Sequence, residues 1–380
     1  MKKQVLIIVI CGVLLFIQPI WGQTWNATKR LTWTPGNSYY PAIATDSNNH
    51  IHVVWEDYST SSAEVYYKKS TNGGTTWTQK RLTWTSGESW APAIAADSNN
   101  HIHVVWHDNT PGNIEIYYQR STNGGVTWTG AKRLSWNTGN STYASIAADS
   151  NNQIHVAWQD DTSGNYEICH KRSTNAGVKW GSTKRMTWNS GYSGSPIVTP
   201  DSNNNIQVVW YDDASGNFEI YFKRSTNGGT TWTSRRLTWT SGFSGTASIA
   251  TDSNNHIHVV WSDDAPGRFE IFYKKSTDGG ASWSTKRISY TSSNSYSPVI
   301  AVDTNNRIHV LWEDISHGFP EIYYKRSTTG GTTWTIKRLT INNGWSVEPA
   351  IAVGSNSHIH VVWEDNPAGP LEIYYKKGIQ

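Results

Sequence analysis

Three observations predict an all-β fold in which seven four-stranded antiparallel blades close into a ring. A segment of about fifty residues recurs, marked by Trp55, Trp106, Trp158, Trp210, Trp261, Trp312 and Trp363 at intervals of 51, 52, 52, 51, 51 and 51 residues. A fixed period of this length denotes a stack or ring of like supersecondary units. Each copy holds four extended segments and none with helical periodicity. The last copy stops at Ile373-Tyr374-Tyr375-Lys376-Lys377 without its fourth segment, whereas Thr24-Trp25 to Lys29-Arg30-Leu31 matches the fourth segment Thr76-Trp77 to Lys80-Arg81-Leu82. Pairing the first strand with the last blade closes the ring and removes its edges, which makes the architecture a seven-bladed β-propeller.

Residues 1–22 stand outside the ring. Lys2 and Lys3 precede an apolar run from Val5 to Ile17, followed by Pro19 and Gly22. This is the layout of a secretory signal peptide cleaved after Gly22. The expected organisation is therefore a signal peptide, 1–22, and a single propeller, 23–380, secreted to the periplasm or the exterior. No later run is long enough to span a bilayer, so no membrane insertion is expected after cleavage. Cleavage leaves Cys169 as the one cysteine, which excludes an internal disulfide; it stands where Tyr66 and Tyr117 occur in other copies and reads as a small buried apolar group. A formal charge of +3 with basic residues spread over all copies argues against nucleic acid as a partner. The 22 Trp and 19 Tyr suit rigid sheets built on aromatic packing.

Within the first copy, 40–45 is a short strand closed by the turn Asp46-Ser47-Asn48-Asn49. Residues 50–55 form a near-continuous apolar strand, the mark of burial on both faces. A third strand spans 64–69, and after the turn Asn72-Gly73-Gly74 a fourth runs over 75–82. The turn from third to fourth strand reads Ser70-Thr71-Asn72-Gly73-Gly74-Thr75-Thr76-Trp77, and further copies begin at Ser121, Ser173, Ser225, Ser276 and Ser327. This pattern resembles the Asp-box, or BNR, repeat of sialidase-like propellers, Ser-x-Asp-x-Gly-x-x-Trp, across the whole mature chain. Asp278 alone keeps the aspartate; Asn72, Asn123, Asn175, Asn227 and Thr329 replace it. The resemblance implies a turn that serves structure, with functional groups on the opposite face, where the second-to-third loops and the connections between blades lie.

Sialidases, as the family is known, clamp the substrate carboxylate with three arginines, use a tyrosine–glutamate nucleophile and an aspartate acid/base, and carry Arg-Ile-Pro near the N-terminus. No Arg-Ile-Pro occurs here. Arg30 recurs as Arg81, Arg133, Arg185, Arg236, Arg287 and Arg338, once per blade, as blade packing or ion pairing requires. The same holds for Asp57, Asp108, Asp160, Asp212, Asp263, Asp314 and Asp365, and for Glu64, Glu115, Glu167, Glu219, Glu270, Glu321 and Glu372. These carboxylates fit loop capping or, alternatively, a paired-carboxylate glycosidase. Histidines two apart on one strand (His50/His52, His101/His103, His256/His258, His358/His360) share a face; they fit hydrogen bonding within a blade or, alternatively, a metal. The reading assigns no catalytic residue, no metal and no cofactor.

Connections between blades carry Trp33, Trp84, Trp136, Trp188, Trp239 and Tyr290 at one position, with Ile341 breaking the set. Just after them the copies diverge, at Tyr39-Tyr40, Trp90-Ala91, Thr142-Tyr143, Gly194-Ser195, Gly245-Thr246, Tyr296-Ser297 and Val347-Glu348. Aromatic faces beside polar loops suit sugar rings, so Trp33, Trp84, Trp136, Trp188, Trp239, Tyr290, Tyr39 and Trp90 are the candidate ligand-binding residues. The same tryptophans fit equally as wedges in the core between blades. The expectation is a monomeric, non-catalytic propeller that binds a glycan or other extracellular polymer. A sialidase-like glycoside hydrolase and a platform for protein partners are the alternatives.

Overall fold

The structure, a computed structural model, describes residues 23–367 and 369–379; the expected signal peptide lies outside the described residues. Seven antiparallel sheets form the ring. In the first blade the strands are Ser38–Thr45, Ile51–Asp57, Glu64–Ser70 and Thr78–Arg81, and the other six follow the same order. First strands of successive blades touch one another and line the central channel. The last blade takes its outer strand from the N-terminus, with Thr24 opposite Ile379, Trp25 opposite Gly378, Lys29 opposite Tyr375 and Arg30 opposite Tyr374. Among the described residues no helix is long and apolar enough to cross a membrane.

No blade owns a core. The two-residue period of the second strand turns Ile51, Val53 and Trp55 toward the last blade, where they pack with Leu31, Val362, Ile373 and Tyr375. From the same strand Val54 turns the other way and joins Val65 and Tyr67 against Ile94, Ile102, Val104 and Trp106 of the second blade. Seven such clusters occupy the seven junctions. This two-sided burial explains the near-continuous apolar character of the second strands.

Polar links stitch the same junctions. On the face of the third-to-fourth strand turns, Lys29 Nζ donates to Gly74 O at 3.2 Å, Lys80 Nζ to Val126 O at 2.9 Å and Lys184 Nζ to Gly229 O at 2.9 Å, in each case on the next blade's turn. Around that mouth of the channel, a closed circle of hydrogen bonds joins first-to-second strand turns. Ser47, Ser98, Ser150, Ser202 and Ser253 each donate to an asparagine of the following blade, Ser47 Oγ to Asn100 Oδ1 at 2.7 Å for example. Thr304 and Ser357 hydroxyls meet at 2.8 Å, and Ser355 Oγ to Asn49 Oδ1 at 3.0 Å completes the circle. Asn49, Asn100 and their equivalents sit at φ near 60°, a region asparagine tolerates better than other side chains.

The Asp-box-like turns act as the resemblance implies. Asn72 Oδ1 accepts from Thr76 N at 2.9 Å, and Trp77 Nε1 donates to Gly74 O at 3.1 Å. The Trp77 ring meets Tyr375 of the preceding blade edge-on at 5.2 Å. Because 75–77 belong to this turn, the outer strand is shorter than the sequence reading of 75–82. In the second and third blades it shrinks to Lys132–Arg133 and Lys184–Arg185. Those two copies hold one extra residue between the turn tryptophan and the Lys-Arg pair, and this interrupts the ladder. It is also the source of the two 52-residue intervals.

The repeated charged sets are structural. Arg81 pairs with buried Glu64 at 2.7 Å, Arg236 with Glu219 at 2.7 Å and Arg30 with Glu372 at 2.6 Å, with equivalents in every blade. Asp57 accepts from Trp55 Nε1 and Ser38 Oγ, both at 3.0 Å, and caps the next loop through Ser59 N at 2.9 Å. His52 lies between Tyr67 OH at 2.7 Å and Asp46 Oδ2 at 3.3 Å. Burial holds its imidazole below the usual range. Asp97, His101 and His103 bring ligand atoms within 4.8 Å of one another. Both imidazoles already bond Asp97 Oδ2, at 2.9 and 3.2 Å, and Tyr118 OH holds His103 Nδ1 at 2.7 Å. Cys169 is buried, and burial pushes its thiol up to about 12, far from a reactive thiolate.

Leu31, 1% exposed, is the N-terminal segment's contribution to the closing core. Leu31→Ala is expected to cost ~2–5 kcal/mol in denaturant unfolding followed by tryptophan fluorescence. A chain lacking 23–31 should lose cooperative unfolding altogether.

Candidate functional site

The seven-fold regularity fails on the face that carries the connections and the second-to-third strand loops. Every first strand enters the ring through a β-bulge, where pairing slips between Tyr39 and Ala42 in the first blade and at equivalent points in the others. One residue of each bulge has φ between 43° and 49°: Tyr40, Ala91, Tyr143, Ser195, Thr246, Ser297 and Glu348. Bulges re-aim side chains, and left-handed backbone at non-glycine residues persists only where surrounding structure enforces it. These are the positions at which the copies diverge.

The residue after each central tryptophan is Glu56, His107, Gln159, Tyr211, Ser262, Glu313 or Glu364, and at four junctions it holds the bulge of the next blade. Glu364 Oε1 accepts Tyr40 N at 2.7 Å, Glu56 Oε2 accepts Ala91 N at 2.7 Å, Gln159 Oε1 accepts Ser195 N at 2.9 Å and Glu313 Oε1 accepts Glu348 N at 3.0 Å. Each acceptor thus grips the bulge of the following blade. At this channel mouth lies a cavity of about 210 Å³ walled by Tyr40, Tyr143, Ala91, Ser195, Glu348 and four prolines. Glu56, Glu313 and Glu364 are buried around it. Burial raises the Glu56 carboxyl to about 7; burial, joined by Glu348, Glu56 and Glu313, raises Glu364 to about 9. Glu313 and Glu348 also lie above the usual carboxylate range because burial disfavours their charge.

Aromatic side chains flank this mouth in two arcs. In the first, Tyr39 meets Tyr58 edge-on at 5.7 Å, Tyr58 OH accepts Trp90 Nε1 at 3.1 Å, and His107 lies 5.6 Å from Trp90 and 5.7 Å from Tyr143. The second runs over three blades through Tyr192, Tyr211, Phe218, Phe243, Phe269 and Tyr296, with successive centroids 5.9, 5.3, 4.9, 5.9 and 5.0 Å apart. Phe218, Phe243, Phe269 and Tyr296 wall a groove of about 640 Å³ edged by Asp264 and Arg268.

Of the residues singled out from sequence, Tyr39 and Trp90 stand at the channel mouth. Trp33, Trp84, Trp136, Trp188, Trp239 and Tyr290 do not converge there. They lie 66–72% exposed beside the outermost strands, each over its own blade's arginine at 4.3–5.9 Å. They are therefore not wedges in the core; Trp84 opens onto a crevice of about 330 Å³ between the first two blades. Glu56, His107, Glu313, Glu364 and the arc through Phe243 escaped the sequence reading. The signal was present: the position after the central tryptophan changes in almost every copy, while the tryptophan itself never does.

No family model matches the chain, and no curated protein matches it in sequence. Its fold is similar to that of solved propellers. A Dyadobacter fermentans protein of unknown function is 14% identical at a TM-score of 0.63, over 94% of this chain and 99% of that one. An ulvan lyase of polysaccharide lyase family PL25, bound to -[GlcA(1-4)Rha3S]-, is 12% identical at 0.66, over 91% and 95%. The intramolecular trans-sialidase of Ruminococcus gnavus is 12% identical at 0.51, over 92% and 96%. At these identities the likeness establishes the fold: the chain is a seven-bladed propeller whose structural neighbours are sialidase and polysaccharide lyase propellers.

The raised Glu364 carboxyl gives stability a pH dependence of defined sign. Unfolded, the group loses its proton near 4.3; folded, it holds the proton to about 9. The folded state binds more protons between these values, so this group lowers stability as pH rises through that window. Glu364→Gln keeps the acceptor for Tyr40 N and removes the titration. Its melting temperature should match the parent near pH 4 and exceed it by ~2–4 °C near pH 8, as read by thermal melts across pH.

Proposed function

We propose that the protein is a carbohydrate-recognising propeller whose ligand lies across the connection face, running from the aromatic groove to the channel mouth. The observation that carries this reading is the arc from Tyr192 to Tyr296: rings in contact over three blades, part-exposed, on a face where the scaffold's repetition is abandoned. Sugar C–H surfaces stack on such rings while hydroxyls bond polar groups at their edges, here Asn217, Asp264 and Asn294. The substrates of the structural neighbours, polysaccharide and sialoside, are in keeping with it. Secretion through a cleaved 1–22 segment belongs to the same proposal. The exposed set from Trp33 to Tyr290 would add weak, repeated contacts for a polymer that overhangs the rim.

A second reading, glycoside hydrolysis, is favoured by one observation. Glu56 and Glu364 are carboxyls raised toward or above neutrality, as a general acid requires. Sialidase chemistry fits poorly, since the arginine of each blade is engaged with a buried glutamate at the outer strands.

A glycan array beside a fluorogenic sialoside assay separates the readings. Binding without turnover is expected, with Phe243→Ala and Phe269→Ala each weakening affinity by roughly 3–10-fold. Trp84→Ala should have a smaller effect that grows with polymer length. Product release abolished by Glu364→Gln would establish the hydrolase instead.

A further inference from the structure

The channel-mouth cavity presents acceptors and aromatic faces but no cation. No lysine or arginine lines it. Glu348 faces the cavity, and its carboxylate takes no hydrogen bond from the described residues, while its own backbone N–H is held by Glu313. Glu56, Glu313 and Glu364 each spend one oxygen on a bulge amide of a residue that lines the cavity or, for Glu313, of Glu348 itself. The four carboxyls crowd one side of the mouth, where burial and proximity favour their protonated forms, and a bound positive charge would favour ionisation instead.

A neutral imidazole stands behind the wall, beside Tyr143. His107 is 7% exposed and its Nδ1 has no partner. It occupies the strand position of Glu56, Gln159, Glu313 and Glu364, whose heads all reach toward cavity-lining residues, and its ring lies 5.7 Å from that of Tyr143. Burial holds it neutral, near 4, so it brings no positive charge to the mouth. Tyr40 and Tyr143, both in the cavity wall, supply rings of the kind that attract a cation.

We infer that the channel mouth binds a primary ammonium group, that of an amino sugar, with Glu348 as counter-ion and Tyr40 and Tyr143 as the flanking faces. The inference rests on the carbohydrate reading above and narrows it: anionic glycans find no counter-charge in the cavity. A calcium ion fits less well, because it takes six to eight oxygen ligands, and prolines, alanines and tyrosine rings form most of the wall.

The test is calorimetric titration of the full mature protein with a glucosamine tetramer, its N-acetylated counterpart, a lysine tetramer and calcium chloride. The glucosamine tetramer should bind at least tenfold more tightly than the acetylated one. Glu348→Gln should lose about tenfold of that affinity, and Tyr40→Ala about threefold, with melting temperatures confirming that both variants fold. Binding of the acetylated tetramer alone, or to equal extent, overturns the ammonium site and leaves the carbohydrate reading standing. Binding of the lysine tetramer alone supports the ammonium site and overturns the carbohydrate reading. Binding of calcium alone, or of nothing offered, overturns this inference.

Discussion

The structure depends on hydrophobic cores that belong to junctions rather than to blades. Each second strand divides its side chains between two neighbours, so a blade standing alone would expose apolar surface on both faces. Only a closed ring leaves none over, and closure falls to the junction where Leu31 packs with Ile51, Val53, Trp55, Ile373 and Tyr375. Three distant stretches of chain meet in that one cluster. The N-terminal strand therefore does more than complete a sheet, because it supplies part of the core that the first and last blades share.

Around this closure the polar scaffold is equally communal. Lysines of outer strands bond carbonyls of the next blade's turn, asparagines at positive φ link turns in a circle, and each arginine neutralises the glutamate that opens a third strand. Such groups must recur in every blade because each junction has to be satisfied separately. Repetition is thus a geometric requirement of the scaffold, and it explains why the tempting charged sets carry no asymmetry suited to chemistry.

The connection face escapes that requirement. Every blade has a bulge there, and at four junctions the residue that follows the central tryptophan accepts the bulge amide of the next blade. Glutamate and glutamine serve at four junctions, and histidine, tyrosine and serine occupy the others. The constraint there is on backbone shape, and side-chain chemistry is left free to differ. This is how a nearly uniform ring comes to hold a lopsided mouth, acidic toward the last and first blades and aromatic toward the fourth to sixth.

Blade number, strand order and the closing strand were legible in the sequence because they follow from a two-residue period, turn chemistry and a fixed repeat, all local properties. The pairing of Glu64 with Arg81 and the placing of His52 inside its blade could be anticipated for the same reason. The extra residue before Lys132 and Lys184 was visible too, although its effect on the outer strand was not. Only the tertiary structure decided that Trp33 and Trp84 lie out on the rim while Tyr39 and Trp90 reach the mouth. It alone brought Glu348, Glu364, Glu56 and His107, up to 308 residues apart in the sequence, around one cavity. The reason is physical: convergence at the mouth is set by ring curvature and by bulges that link one blade to the next, and neither leaves a mark within a single repeat.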